Sequence, residues 1–182
     1  EPACCHPNER LSSTFWKLRL DRKLVDFIIN VQGKQFHVHK AIMAIGSPVL
    51  GSMLETKNGQ LDVTDCDPEV FEHFVRFLYL GCANGLRHFE LRLLALAEKF
   101  GVENLKIICE ESIAANITVD NAATVFMAAE INNALTLKPY VMDFIKKHVL
   151  EIIETDSWKS LLVSEPNLVN IVVWAVANIS KK

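Results

Sequence analysis

Residues 25–48 read VDFIINVQGKQFHVHKAIMAIGSP, and this stretch decides the fold. Val25, Phe27, Ile29 and Val31 alternate with Asp26, Ile28 and Asn30, the two-residue period of a strand with one buried face. Gln32-Gly33-Lys34 supplies a turn, and Gln35 to Val38 returns as the second strand of a hairpin. From His39 to Ile45 the apolar spacing becomes helical and closes at Gly46. Ser47 then restarts a helix as N-cap, with Pro48 at the first helical position, where its missing N–H costs nothing. The change of period within one short stretch predicts an α+β fold.

Working outward, the Pro48 helix runs to about Leu54, and the polar segment 55–60 (ETKNGQ) leads to a third strand, Leu61 to Thr64. Asp67-Pro68-Glu69 repeats the cap-then-proline start, and a helix with Val70, Phe71, Phe74, Val75, Phe77 and Leu78 on its apolar face stops at Gly81. Helices are predicted over about 89–100 and 102–115. Beyond Asn116 only helical patterns remain: Thr118 to Glu130, Leu135 to Glu154, Asp156 to Val163 and Pro166 to Ile179. Upstream, Leu11, Phe15 and Leu18 form an apolar row with Trp16 alongside, on a helix over Ser12 to Leu20. Residues 1–10 read as a flexible tail, 11–115 as the α+β domain and 116–182 as an all-helical segment. The apolar row before the first strand serves a core or a second subunit equally well on spacing alone.

The chain has 182 residues, 50% of them apolar and 23% charged, which places it among folded globular proteins. Its formal charge is -3, with the acidic excess in the middle third, and no run of Lys and Arg is dense enough to neutralise a row of phosphates. Nucleic acid is therefore excluded as the principal partner. The longest apolar tract, Leu168 to Ile179, is interrupted by Asn170 and Asn178 and suits a buried core helix better than a membrane span. Five scattered cysteines (Cys4, Cys5, Cys66, Cys82, Cys109) fit reduced thiols rather than a disulfide scaffold. No leader pattern stands at Glu1, and the chain reads as a fragment of something longer.

A search for chemistry returns no nucleophile elbow, phosphate loop, dinucleotide fingerprint, zinc-protease helix or paired-cysteine ligand motif. Cys4-Cys5-His6 lacks a companion pair at zinc-finger spacing, so no metal or other cofactor is expected. His37 and His39 read as structural histidines. Asp26 sits among apolar strand residues and needs a partner such as Lys40. No catalytic residue is assigned.

The blocks HKAIMAIGSPVLGSMLE (39–55) and LDVTDCDPEVFEHFVRFLYLG (61–81), with the hairpin upstream, resemble a BTB/POZ domain. LLALAEKFGVENLKIICEESIAANITVDNAATVFMAAEINNALTLKPYVMDFI (93–145) and ETDSWKSLLVSEPNLV (154–169) resemble the end of that domain and the three-box/BACK-type helices of the speckle-type POZ (MATH-BTB) family. The resemblance spans Leu11 to Ala177. It implies a non-catalytic homodimeric adaptor of a cullin-3 RING E3 ubiquitin ligase in the nucleus or cytoplasm, with substrate proteins held by an upstream MATH domain outside this chain. It assigns the apolar row to the dimer contact (Leu11, Phe15, Trp16, Leu18, with Ile42 beside them). It points Leu54, Glu55, Leu61, Tyr79 and Asn84 towards the cullin-3 N-terminal domain.

Two departures from the family pattern stand out. Cullin-binding members carry a longer acidic segment with a hydrophobic-x-Glu motif where this chain has only residues 55–60. Relatives often have arginine where this chain has Gly46, so a charged pocket with Asp26 is not reproduced. The alternative implied is a BTB oligomerisation scaffold that dimerises without recruiting cullin-3.

Overall fold

The computed structural model describes residues 7–56, 59–82 and 88–177. Its elements run α1 (Pro7–Leu20), β1 (Phe27–Val31), β2 (Lys34–Val38), α2 (Lys40–Gly46), α3 (Pro48–Thr56), β3 (Gln60–Val63), α4 (Pro68–Leu80), α5 (Glu90–Phe100), α6 (Glu103–Ala115), α7 (Ala122–Ile131), α8 (Leu137–Lys147), α9 (Val149–Ile152), α10 (Asp156–Ser164) and α11 (Pro166–Ala177). The chain divides into two compact units, Glu1–Lys106 and Ile107–Lys182. The architecture is a small sheet among helices followed by a helical region, the α+β arrangement expected from the change of period.

In the first unit the sheet has the order β2-β1-β3, with β1 antiparallel to β2 and parallel to β3. The hairpin turn is tighter than expected: Lys34 belongs to β2, leaving Gln32 and Gly33 with φ of 47° and 85°. Positive φ at both central residues is the turn that matches strand twist, which glycine adopts freely. Phe27, Ile29, Val31, Phe36 and Val38 are buried, so the alternation in the sequence is the inner face of the sheet. Phe36, Phe71, Phe74 and Phe100 continue that core, with the Phe36 and Phe71 rings edge-on at 5.0 Å and the Phe74 and Phe100 rings tilted by 39° at 5.3 Å.

Ser47 performs its capping role. Its Oγ accepts from the Leu50 N–H (3.1 Å) and donates to the Phe100 carbonyl (2.5 Å), joining the start of α3 to the end of α5. Asp67 caps α4 through the Glu69 N–H (2.7 Å), and Gly81 closes it in the left-handed region at φ 66°. Gly46 allows a close approach, since a Cβ there would lie 2.8 Å from Leu78 Cδ2 on α4. Helix α1 begins at Pro7, inside the segment expected to be a loose tail. The Cys4-Cys5-His6 cluster lies outside the described residues.

In the second unit the largest departure from expectation has an identifiable reason. The helix expected over 135–154 is two helices, because the His148 backbone turns to φ -120°, ψ 23° and its N–H is shared between the Phe144 and Ile145 carbonyls. Such three-centre bonding marks a helix terminus. At the other end of α8, the buried Glu110 carboxylate accepts the Thr136 and Leu137 N–H groups at 2.9 Å each, satisfying donors that a helix start leaves open. Thr155 caps α10 through the Trp158 N–H. α11 is less buried than its composition suggested. Val169 and Val172 face inward, whereas Ile171, Val173 and Trp174 are exposed, so one stripe of the helix is covered rather than its whole circumference. Among the described residues no single helix is long and apolar enough to cross a membrane.

Candidate functional site

The surface of the first unit carries a groove of about 460 Å³ between α1 and α2. Leu11 and Phe15 of α1 form one wall, and Ala41, Ile42 and Ile45 of α2 form the other. Leu24 closes one end and the Asp26 carboxylate marks the rim. Leu11 is 61% exposed, Leu24 79% and Ile45 84%, so a contiguous apolar surface faces solvent. Large apolar patches on a folded chain mark interaction sites far more often than isolated exposed leucines do.

The floor is rigid. His39 Nε2 lies 3.1 Å from the Lys23 carbonyl, which can only accept, so Nε2 carries the proton and Nδ1 accepts from the Tyr79 hydroxyl at 2.6 Å. The same hydroxyl accepts the His39 backbone N–H at 3.0 Å. Phe15 meets the His39 ring edge-on at 5.7 Å, and Trp16 meets Tyr79 in the same manner at 5.6 Å. Behind this layer Arg19 lies over the Trp16 ring and forks onto Glu72 of α4 at 2.7 and 3.0 Å. Trp16 and Arg19 thus fasten α1 to α4, which leaves the Leu11 and Phe15 side of the helix facing the groove.

A left-handed turn delivers the end wall. Arg22 and Leu24 have φ of 54° and 59°, uncommon for residues with a Cβ, and the Lys23 N–H closes α1 on the Leu18 carbonyl at 2.8 Å. Asp26 is exposed just before β1 and does not lie among buried side chains; its carboxylate accepts the Lys40 backbone N–H at 2.7 Å, at the start of α2. The Lys40 ammonium instead lies over the Phe27 ring.

A second hollow, of about 320 Å³, is lined by Cys66, Val70 and Leu96 and edged by the Asp65–Lys99 and Asp67–Arg92 ion pairs. Burial, with help from the Asp67 and Asp65 charges, pushes the Cys66 thiol up to about 11. A thiol held neutral is a poor nucleophile and metal ligand. Among the described residues no group of His, Cys, Asp and Glu could hold a metal ion.

The model of the BTB/POZ domain matches residues 15–117, more than half of the chain. The chain belongs to the BTB/POZ family. Among solved structures it is similar to the BTB domain of zebrafish PATZ1, at 20% identity and a TM-score of 0.56, over 64% of this chain and 100% of that one. BTB/POZ domains are in general non-catalytic interaction modules that commonly dimerise, and some bind cullin-3.

On this BTB/POZ scaffold the residues singled out in the sequence divide. Leu11, Phe15 and Ile42 meet in the groove, while Trp16 lies behind it against Tyr79 and Leu18 is half-buried on the same helix. Of the set pointed towards cullin-3, Glu55 is exposed at the end of α3, but Leu54, Leu61 and Tyr79 are buried within the chain, and Asn84 lies outside the described residues. Tyr79 stands in the groove floor. Sequence reasoning missed Leu24 and Ile45 as groove residues. Ile45 falls inside the helical pattern of residues 39–45, which does not show that it faces solvent, and only the positive φ turn, invisible in a periodicity count, leaves Leu24 there.

Proposed function

We propose that this BTB/POZ chain is a self-associating adaptor module, dimerising through the α1–α2 groove and linking cullin-3 to substrates held by a domain outside this chain. The observation that carries the reading is the groove itself. Leu11, Leu24 and Ile45 are exposed side by side above a floor fixed by the His39–Tyr79 bonds, a rigid apolar surface ready for a partner. A two-fold contact through one such patch buries it on both copies at once. The cullin-3 part rests on the resemblance to the MATH-BTB family and on the helical region that continues to α11, the place of three-box/BACK helices in that family. Under this reading the module works in the nucleus or cytoplasm, without chemistry of its own.

The second reading is an oligomerisation scaffold that dimerises and recruits no ligase. The short 55–60 segment and the burial of Leu54 and Leu61 favour it, because they leave Glu55 without an exposed large apolar neighbour from that set. Size-exclusion chromatography with light scattering, with and without the cullin-3 N-terminal domain, separates the two. A dimer that shifts to a heterotetramer supports the adaptor, a dimer that does not shift supports the scaffold, and a monomer at micromolar concentration removes both.

A further inference from the structure

The side chains that line the α1–α2 groove are apolar except for Ser12, Asp26, His39 and Tyr79. His39 and Tyr79 are spent: the ring nitrogens meet the Tyr79 hydroxyl and the Lys23 carbonyl, and the same hydroxyl also takes the His39 backbone N–H. Asp26 keeps one oxygen open, because Oδ1 accepts the Lys40 N–H and no donor meets Oδ2 among the described residues. Ser12 is half-buried on the same side of α1 as Leu11 and Phe15. The next two hydroxyls, Ser13 and Thr14, donate to the Arg10 carbonyl, whereas the Ser12 hydroxyl has no hydrogen-bond partner among the described residues. Among those residues no Lys or Arg lines the groove. Each copy therefore presents one unspent side-chain donor, Ser12 Oγ–H, and one unspent carboxylate oxygen, Asp26 Oδ2.

Water serves both groups while the groove is open. Once a second copy covers it, each needs a partner on that copy, since a polar group buried without one is costly and a carboxylate most of all. A two-fold contact pairs them in one of three ways. Asp26 against Asp26 sets like charges together. Ser12 against Ser12 across the axis consumes the donors and strands both carboxylates. Ser12 against Asp26, made twice, satisfies every group. We propose that the Ser12 hydroxyl of each copy donates to the Asp26 carboxylate of the other, and that this reciprocal pair sets the register of the dimer and its preference for a second copy of this chain. The pair rests on the reading of the groove as the dimer face. Apolar burial supplies the attraction, and the pair supplies the selectivity, because a partner lacking either group leaves its counterpart buried alone.

Sedimentation equilibrium and native mass spectrometry on the full chain test this. Ser12→Ala removes two bonds to a carboxylate per dimer, and should weaken self-association at least about tenfold while the melting curve stays in place. Ser12→Asp sets carboxylate against carboxylate at both contacts and should be monomeric where the natural chain is a dimer. Asp26→Asn keeps an oxygen for the Lys40 N–H and replaces the other with an amide donor. Mixed one to one, S12D and D26N should form a mixed dimer, in which the new carboxylate meets the new amide while the natural Ser12 of one chain meets the natural Asp26 of the other. If S12D does not fold, Ser12→Ala decides alone. Undiminished affinity in Ser12→Ala, a dimeric S12D, or an S12D that stays monomeric beside D26N overturns the pair while the dimer face stands. A natural chain that is monomeric at micromolar concentration overturns both.

Discussion

At the scale of single residues, two buried acids make the fold sensitive to alkali. Burial pushes the Cys66 thiol up to about 11, reinforced by Asp67 and Asp65, and burial also raises the Tyr79 phenol above its ordinary value. Each keeps its proton in the folded chain at a pH where the unfolded chain has released it. Their stabilisation is therefore complete below the unfolded thiol value, about 8.5, and is lost as the pH climbs through the folded values. Urea titrations followed by circular dichroism should show stability falling from about pH 8.5 towards pH 11, and Cys66→Ala should flatten the first part of the fall. A wild-type curve flat to pH 11 would contradict it. Ser47 is a separate case, because one hydroxyl joins two helices. Ser47→Ala removes the cap on Leu50 and leaves the Phe100 carbonyl without that donor, which should cost about 2 kcal/mol and lower Tm by roughly 4–8 °C.

At the scale of elements, α1 is held by one side and open on the other, so its two sides should answer differently to mutation. Leu11→Glu with Ile45→Glu alters only exposed side chains, and should convert a dimer to a monomer in light scattering while the melting curve stays in place. Each apolar side chain withdrawn from an interface is worth about 1.5–3 kcal/mol, at least about tenfold in affinity. Phe15→Asp should break the dimer and lower Tm together, because Phe15 also packs on His39. An unchanged dimer in the first double variant would remove the groove as the contact. Elements of this kind were largely readable in advance. The hairpin, the Ser47-Pro48 restart and the Asp67-Pro68 cap each rest on local chemistry, and local chemistry is what a sequence displays. The break at His148 was not readable, since it depends on two carbonyls sharing one N–H, and neither was the Glu110 cap, whose carboxylate lies 26 residues before Thr136. The candidate site was half legible for the same reason: the α1 row is periodic, whereas Leu24 and Ile45 join it through a turn and a second helix.

At the scale of the whole molecule, the proposed cullin-3 contact turns on the short 55–60 segment. A large apolar anchor seated in a partner's pocket, with a carboxylate beside it, is the kind of hot spot worth at least about 2 kcal/mol, or roughly 30-fold in affinity. Glu55 offers the carboxylate from the exposed end of α3, but Leu54 and Leu61 are turned into the core and cannot act as the anchor without unpacking it. The helical region beyond Asn116 presents apolar side chains of its own, Ile131 and Leu135 exposed around the turn from α7 to α8. Surface of that kind supplies complementarity even where it supplies little energy, so binding should be weakened rather than abolished. Calorimetry with the cullin-3 N-terminal domain should accordingly give a micromolar Kd for the natural chain. Replacing Glu55 to Gln60 with a longer segment carrying a hydrophobic-x-Glu motif should tighten it by roughly 30-fold, because an anchor on a loop can enter a partner's pocket without disturbing the buried leucines. Nanomolar binding by the natural chain would show that the motif is dispensable here. Absence of binding even after the graft would transfer the weight to the scaffold reading, in which the groove between α1 and α2 is the chain's working surface.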